Sequence, residues 1–198
     1  MIDGQRSRLF FAFEISEEVR AEAIRVQARL QTELGSSHIR WTDPADMHIT
    51  ALFLGDHANE RLQSFAAAAT HAVADVKPFA LSVHGVGRFP TAGRPRVVWV
   101  GAREPDHRPA SQIIDGLRGQ LPDIPTDHPS YRPHITIAYV KPNASEHTVE
   151  RALDSRKHDA ALSMIVDRLV LMQTIPPQEK HKSNCARYNI VQVFPFGV

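Results

Sequence analysis

The sequence predicts an α+β fold, a bilobed body of 198 residues built from two related halves of about one hundred residues each. Three observations predict it. Strand-like and helix-like segments follow one another in the order strand, helix, strand, helix, strand, strand, then helix, strand, helix, strand, strand. The tripeptide His-Ile-Thr occurs once in each half, at 48–50 and at 134–136. No low-complexity linker separates the halves, so residues 1–198 are expected to form a single domain.

The elements follow from local pattern. Leu9 to Ile15 is short and aromatic-rich, which suits a buried strand, and Ser16 followed by Glu17 and Glu18 is a helix start. That helix should run to about Leu34, with Val19, Ala23, Val26, Leu30 and Leu34 on its apolar face and Arg20, Arg25 and Arg29 on its wet face. Gly35 and Ser36 end it. A strand over Met47 to Leu54 is bounded by Pro44 and Gly55. A helix is expected from about Asn59 to Val76, then strands at Phe79 to Phe89 and Arg96 to Val100 across a turn at Pro90 to Pro95. A third helix spans Ser111 to Leu121. The strand His134 to Val140 lies between Pro133 and Pro142, and a helix near Glu146 to Ser155 precedes closing strands at about Leu162 to Gln173 and Arg187 to Phe194.

Composition narrows the function classes. Twenty-three Lys and Arg against 22 Asp and Glu leave a formal charge of +1, so any contact with nucleic acid must be local. One cysteine, Cys185, excludes an internal disulfide and suits a reducing cytoplasm. The apolar stretch Leu9 to Phe13 is too short for a secretory signal, and no segment approaches the roughly 20 apolar residues of a membrane helix. There is no phosphate-binding loop of the Gly-x-x-x-x-Gly-Lys type, which argues against an ATP-driven ligase. Gly85-Val86-Gly87 lacks the third glycine and following helix of a dinucleotide fingerprint and reads as a strand bend.

The repeated tripeptide carries the chemistry. Side chains alternate along a strand, so His48 points with Thr50 and His134 with Thr136, while Ile49 and Ile135 face the other way. If the two strands are neighbours, two imidazoles and two hydroxyls converge on one groove. Imidazole titrates at about pH 6.5 when unperturbed, so one ring can accept a proton while its partner donates one, without a metal. Arg132 in Tyr131-Arg132-Pro133-His134, and Arg40 with Trp41 upstream of His48, are candidate phosphate and substrate contacts. Each Thr is followed three residues later by an aromatic, Phe53 and Tyr139; for Phe53 core burial is the expectation.

These residues, with Arg8-Leu9-Phe10-Phe11-Ala12-Phe13, Phe53-Leu54-Gly55, Phe89-Pro90 and Pro95-Arg96-Val97-Val98-Trp99, resemble the two-histidine phosphoesterase superfamily over nearly the full chain. Within it they resemble the bacterial and archaeal RNA 2′,3′-cyclic phosphodiesterases once called 2′-5′ RNA ligases. The resemblance implies antiparallel sheets with helices outside and a catalytic cleft between them. It implies hydrolysis of a 2′,3′-cyclic phosphate to a 2′-phosphomonoester, His48 as proton donor and His134 as proton acceptor, with reversal giving a 2′-5′ linkage. The near-identical motifs leave that polarity open on their own. The chain departs from the family at Gln173-Thr174-Ile175-Pro176-Pro177, where relatives commonly read Ser-x-Leu.

Each histidine taken singly reads as a hydrogen-bonded structural residue; the weight rests on the pair and its flanks. The other nine histidines, His57, His71 and His107 among them, read as solvated, and Lys180-His181-Lys182 as a basic loop tip. The expected partners are RNA ends or small cyclic phosphates, with no cofactor, no metal, no membrane and a monomeric chain. Two other functions fit the same residues: an RNA-end binding module without turnover, and a phosphodiesterase for a small cyclic nucleotide.

Overall fold

The computed structural model describes residues 6–125, 130–154, 161–175 and 187–197. In chain order the elements are β1 (Arg6–Phe13), α1 (Glu17–Leu34), β2 (Ile39–Trp41), β3 (Ile49–Ala58), α2 (Leu62–Val73), β4 (Phe79–Phe89) and β5 (Val97–Arg103). There follow α3 (Pro109–Gln120), β6 (His134–Val140), α4 (Glu146–Asp154), β7 (Leu162–Val166), β8 (Arg168–Thr174) and β9 (Tyr188–Pro195). Lys180-His181-Lys182 and Cys185 lie outside the described residues.

The described strands make one antiparallel sheet in the order β7-β4-β5-β6-β3-β1-β8-β9, with β2 also paired to β6. The centre is narrow: β3 meets β6 through the single pairing of Ile49 with Ile135, so the two tripeptides are cross-strand partners. Beyond that pairing, β2 takes over the same edge of β6, from Ile39 opposite Val140 to Trp41 opposite Ala138. The two sides of the sheet are not the two halves of the sequence. β8 and β9, from the end of the chain, extend β1, whereas β4 and β5 from the first half extend β6.

Helices bury the face of the sheet that carries Ile49 and Ile135. α1 packs by β6 and β7 and meets α4, while α2 lies by β8 and β9 and meets α3, which lies by β3. The core joins Leu9, Phe11 and Phe13 of β1 to Val19, Ala23, Val26 and Leu30 of α1 and to Phe65, Ile113 and Ile114 of the other helices. Burial of each of the larger of these side chains, the Val, Leu, Ile and Phe residues, stabilises the fold by roughly 1.5–3 kcal/mol. α1 begins as its sequence predicts: the Ser16 hydroxyl accepts from the Val19 N–H, and Gly35 closes the helix at φ 62°.

Four local expectations differ from the structure. The strand expected over 162–173 is two strands split at Asp167, one pairing with β4 and the other with β1, so one apolar run serves opposite sides of the sheet. Gly55 does not end β3. At φ 93° it sits beside an irregularity in the β1–β3 ladder, and the strand continues to Ala58. The helix expected from residue 59 begins as a 3₁₀ turn at Asn59–Arg61 before α2. Arg20 is not on the wet face: its guanidinium donates to the carbonyls of Pro44 (2.5 Å) and Met47 (3.3 Å).

Candidate active site

The turn before His48 is built from its own sequence. The Asp43 carboxylate accepts from the Ala45 N–H at 2.9 Å, Pro44 opens a 3₁₀ turn over Pro44–Asp46, and Arg20 of α1 clamps it from behind. The buried Asp46 accepts through its carboxylate from the backbone N–H of Arg187, tying the start of β9 to this turn.

His48 then stands one residue before β3, and His134 is the first residue of β6. Their attachments match. Nδ1 of His48 lies 2.7 Å from the carbonyl oxygen of Asp46, and Nδ1 of His134 lies 2.8 Å from that of Arg132, two residues upstream in each case. A carbonyl oxygen only accepts, so each Nδ1 carries the hydrogen and each Nε2 remains for chemistry. Nε2 of His48 lies 3.1 Å from the Thr50 hydroxyl.

Both rings line one groove of about 460 Å³, together with Thr50, Thr136, Arg40, Phe53 and Tyr139. Aromatic rings fix the imidazoles. Phe10 stacks on His48 at 4.9 Å and Tyr188 meets it edge-on at 5.2 Å; Phe89 meets His134 edge-on at 4.9 Å. Trp99 lies behind His134, its indole laid over Gly87, where a Cβ would come within 2.2 Å of the ring.

Burial holds both histidines below their ordinary titration range. For His48 desolvation outweighs the hydrogen bond to Asp46, and positive charge on His134 and Arg20 adds to it, bringing its pKa to about 4. For His134 desolvation again dominates over the bond to Arg132. His48 is therefore neutral at pH 7, and an arriving anion favours the protonated form of either ring.

The register explains the aromatics. Along β3 the pairing runs Phe11 with Leu52 and then Ala12 with Thr50, leaving Ala51 as an extra residue. Along β6 it runs Val98 with Ala138 and then Trp99 with Thr136, leaving Ile137 extra. Each strand thus bulges directly after its threonine, and the alternation shifts by one. Phe53, expected in the core, is instead 63% exposed and lines the groove, as does Tyr139, whose ring carries the Arg40 guanidinium at 4.1 Å.

Of the residues singled out in the sequence, the groove brings together His48, His134, Thr50, Thr136 and Arg40. It does not include the side chains of Trp41, Tyr131 or Arg132. Trp41 Nε1 donates to the Gly35 carbonyl at 3.1 Å. Tyr131 packs against the core with its hydroxyl buried, which pushes its pKa up. The Arg132 side chain is exposed; its backbone carbonyl is what holds His134. His57 is a strand residue, bonded to the Leu54 carbonyl and set against Phe65, not a solvated one. Groove residues that sequence reasoning missed include Arg8, Phe10, Asp46, Phe89, Arg187 and Tyr188. Alternation along β1 could have found Arg8 and Phe10, since Leu9, Phe11 and Phe13 take the core face. No local signal marks Asp46 or Arg187. Among the described residues, no group of three His, Cys, Asp or Glu side chains is placed to hold a metal ion.

The family described as the 2′-5′ RNA ligase superfamily matches residues 13–175. An RNA 2′,3′-cyclic phosphodiesterase of Archaeoglobus fulgidus is 32% identical over 138 residues, covering 68% of this chain and 73% of that one. A crystal structure from Thermus thermophilus superposes with a TM-score of 0.75 at 25% identity, covering 96% and 97% of the two chains. Escherichia coli LigT complexed with 3′-AMP superposes with a TM-score of 0.74 at 21% identity over 98% of this chain and 100% of that one, a likeness of fold.

Proposed function

The chain belongs to the 2′-5′ RNA ligase superfamily, and from that premise we propose that it hydrolyses RNA 2′,3′-cyclic phosphate termini to 2′-phosphomonoesters by paired-histidine acid–base catalysis. The observation that carries the reading is the matched seating of the two imidazoles, each with Nδ1 spent on a carbonyl two residues upstream and Nε2 left toward a common groove.

In this reaction Nε2 of His134 takes a proton from water as the water oxygen attacks phosphorus. The bond from phosphorus to the 3′-oxygen breaks, and Nε2–H of His48 protonates that oxygen. Thr50 and Thr136 hydrogen-bond the phosphoryl oxygens, and Arg40 offers a guanidinium to the anion. Because burial keeps His48 neutral at pH 7, its catalytic proton is acquired with the phosphate, whose negative charge raises the pKa of the ring beside it. The exposed ring of Phe53 supplies a stacking face for the terminal base. Run backwards with a 5′-hydroxyl in place of water, the same steps form a 2′-5′ linkage without a nucleotide cofactor. One chain supplies both histidines across a continuous sheet, which supports a single catalytic unit acting as a monomer, and on this reading it works in the cytoplasm.

The test is hydrolysis of an oligoribonucleotide ending in a 2′,3′-cyclic phosphate, in the presence of a chelator, with the phosphate position of the product determined. A 2′-phosphate product with rates indifferent to chelator is expected. Binding without turnover, a 3′-phosphate product, or loss of activity in chelator would overturn the reading.

A further inference from the structure

Two arms lead away from the histidines, and their chemistry differs. On the His134 side the guanidinium of Arg40 is laid on Tyr139. On the His48 side stand the exposed Phe53 and, on β1, Arg8. Arg8 lies two residues from Phe10, the ring that stacks on His48, and shares its face of the strand, so the two positions are separated by ~7 Å along β1. The Arg8 side chain is exposed and lines the groove. It forms no ion pair among the described residues, although Asp56 is its cross-strand neighbour; the Asp56 carbonyl is taken instead by Arg6 at 2.6 Å.

In-line displacement decides which arm the RNA follows. Water enters on the side of the base, His134, so the leaving 3′-oxygen and the ribose that carries it lie on the side of His48. RNA with a cyclic phosphate at its 3′ end continues only in the 5′ direction from that ribose. The rest of the strand therefore leaves on the His48 side, where the Arg187 guanidinium lies over the Tyr188 ring while Phe53 and Arg8 stand exposed on the groove.

Resting on the hydrolytic reading above, we propose that Arg8 binds the phosphodiester one nucleotide upstream of the reacting terminus, which makes the protein selective for oligonucleotide ends over mononucleoside 2′,3′-cyclic phosphates. Arg8 is a specificity residue in this scheme. It touches neither the reacting phosphorus nor the histidines, and a mononucleotide does not reach it.

The test compares three substrates: adenosine 2′,3′-cyclic phosphate, the ApA dinucleotide with the same terminus, and that dinucleotide with an uncharged methylphosphonate linkage. The wild-type protein is expected to favour the charged dinucleotide over both others by roughly tenfold in kcat/KM, the scale of one hydrogen-bonded charge pair. Arg8→Gln should erase that preference, with no added loss on the methylphosphonate. For a longer single strand, the slope of log KM against log salt should fall by about 0.7 in the variant, the increment of one phosphate contact. A wild-type protein that turns over all three substrates equally overturns the proposal without any variant. So does an Arg8→Gln protein that slows the charged and neutral dinucleotides by the same factor. No hydrolysis of any substrate by the wild-type protein removes the functional reading itself, and this subsite with it.

Discussion

Phe53 and Tyr139 occupy the same place relative to their histidines, each three residues beyond a threonine and each turned to the groove by a bulge directly after that threonine. Strict alternation would have put both rings in the core. A matching irregularity in two separate strands sets both aromatics on the face that carries the imidazoles, and the sheet keeps Leu52 and Ala138 for the core side.

Phe53 should therefore matter to substrate and hardly to stability. Phe53→Ala removes an exposed ring, so its melting temperature should match the wild type. Loss of one base–aromatic stack, worth about 1–3 kcal/mol, should lower kcat/KM on RNA ends by roughly 5- to 150-fold. A melting temperature well below the wild type, with kcat/KM intact, would place the ring in the core after all.

Either histidine removed should cost turnover on the scale of acid–base catalysis. His48→Ala and His134→Ala should each lower kcat by a factor on the order of 10² to 10⁴, with Thr50→Ala and Thr136→Ala losing less. Steady-state kinetics on a cyclic-ended oligonucleotide settles it, and near-normal turnover in either histidine variant would defeat the mechanism.

The depressed pKa of His48 links stability to pH. An unfolded chain protonates this ring below its ordinary value of 6.5, whereas the folded protein resists until about 4. The unfolded state therefore binds more protons in that window, and stability contributed at pH 7 is lost as pH falls through it, by on the order of 3 kcal/mol. Urea unfolding of wild type and His48→Gln at pH 7 and pH 4.5 should show the variant losing less. Inorganic phosphate, by raising the same pKa, should take up protons on binding at pH 7, readable as a buffer-dependent heat in calorimetry.

Gly87 is the position where space is shortest. An added Cβ would meet the Trp99 indole at 2.2 Å, and the indole cannot withdraw without disturbing Phe89 and His134. Gly87→Ala should lower stability by about 1–3 kcal/mol, the usual cost of overpacking, and shift the tryptophan fluorescence. An unchanged melting temperature would mean that the ring moves freely.

Much of the site was legible because it is local. His48 with Thr50, and His134 with Thr136, share a face by the period of a strand, and Ser16, Gly35 and the apolar stripe of α1 mark their helix without reference to anything distant. The splitting of 162–173 at Asp167 was not legible, because an apolar run reads alike whether it pairs with one neighbour or with two. Arg132 shows the same limit at a single residue: its identity as a cation suggested a phosphate contact, while the carbonyl that seats His134 belongs to a backbone every residue has.

The sequence by itself determined the two His-Ile-Thr triplets, their strands and the helices that cover them, since hydrophobic period and capping act within a few residues. Only the tertiary structure decided that Ile49 pairs with Ile135, that the strands bulge after their threonines, and that Phe10 and Tyr188 attend His48 while Arg8 lines the same groove. Those outcomes depend on which strand lies beside which. Ladder register and the burial of imidazole are properties of neighbours far apart in the chain, and no local pattern encodes them.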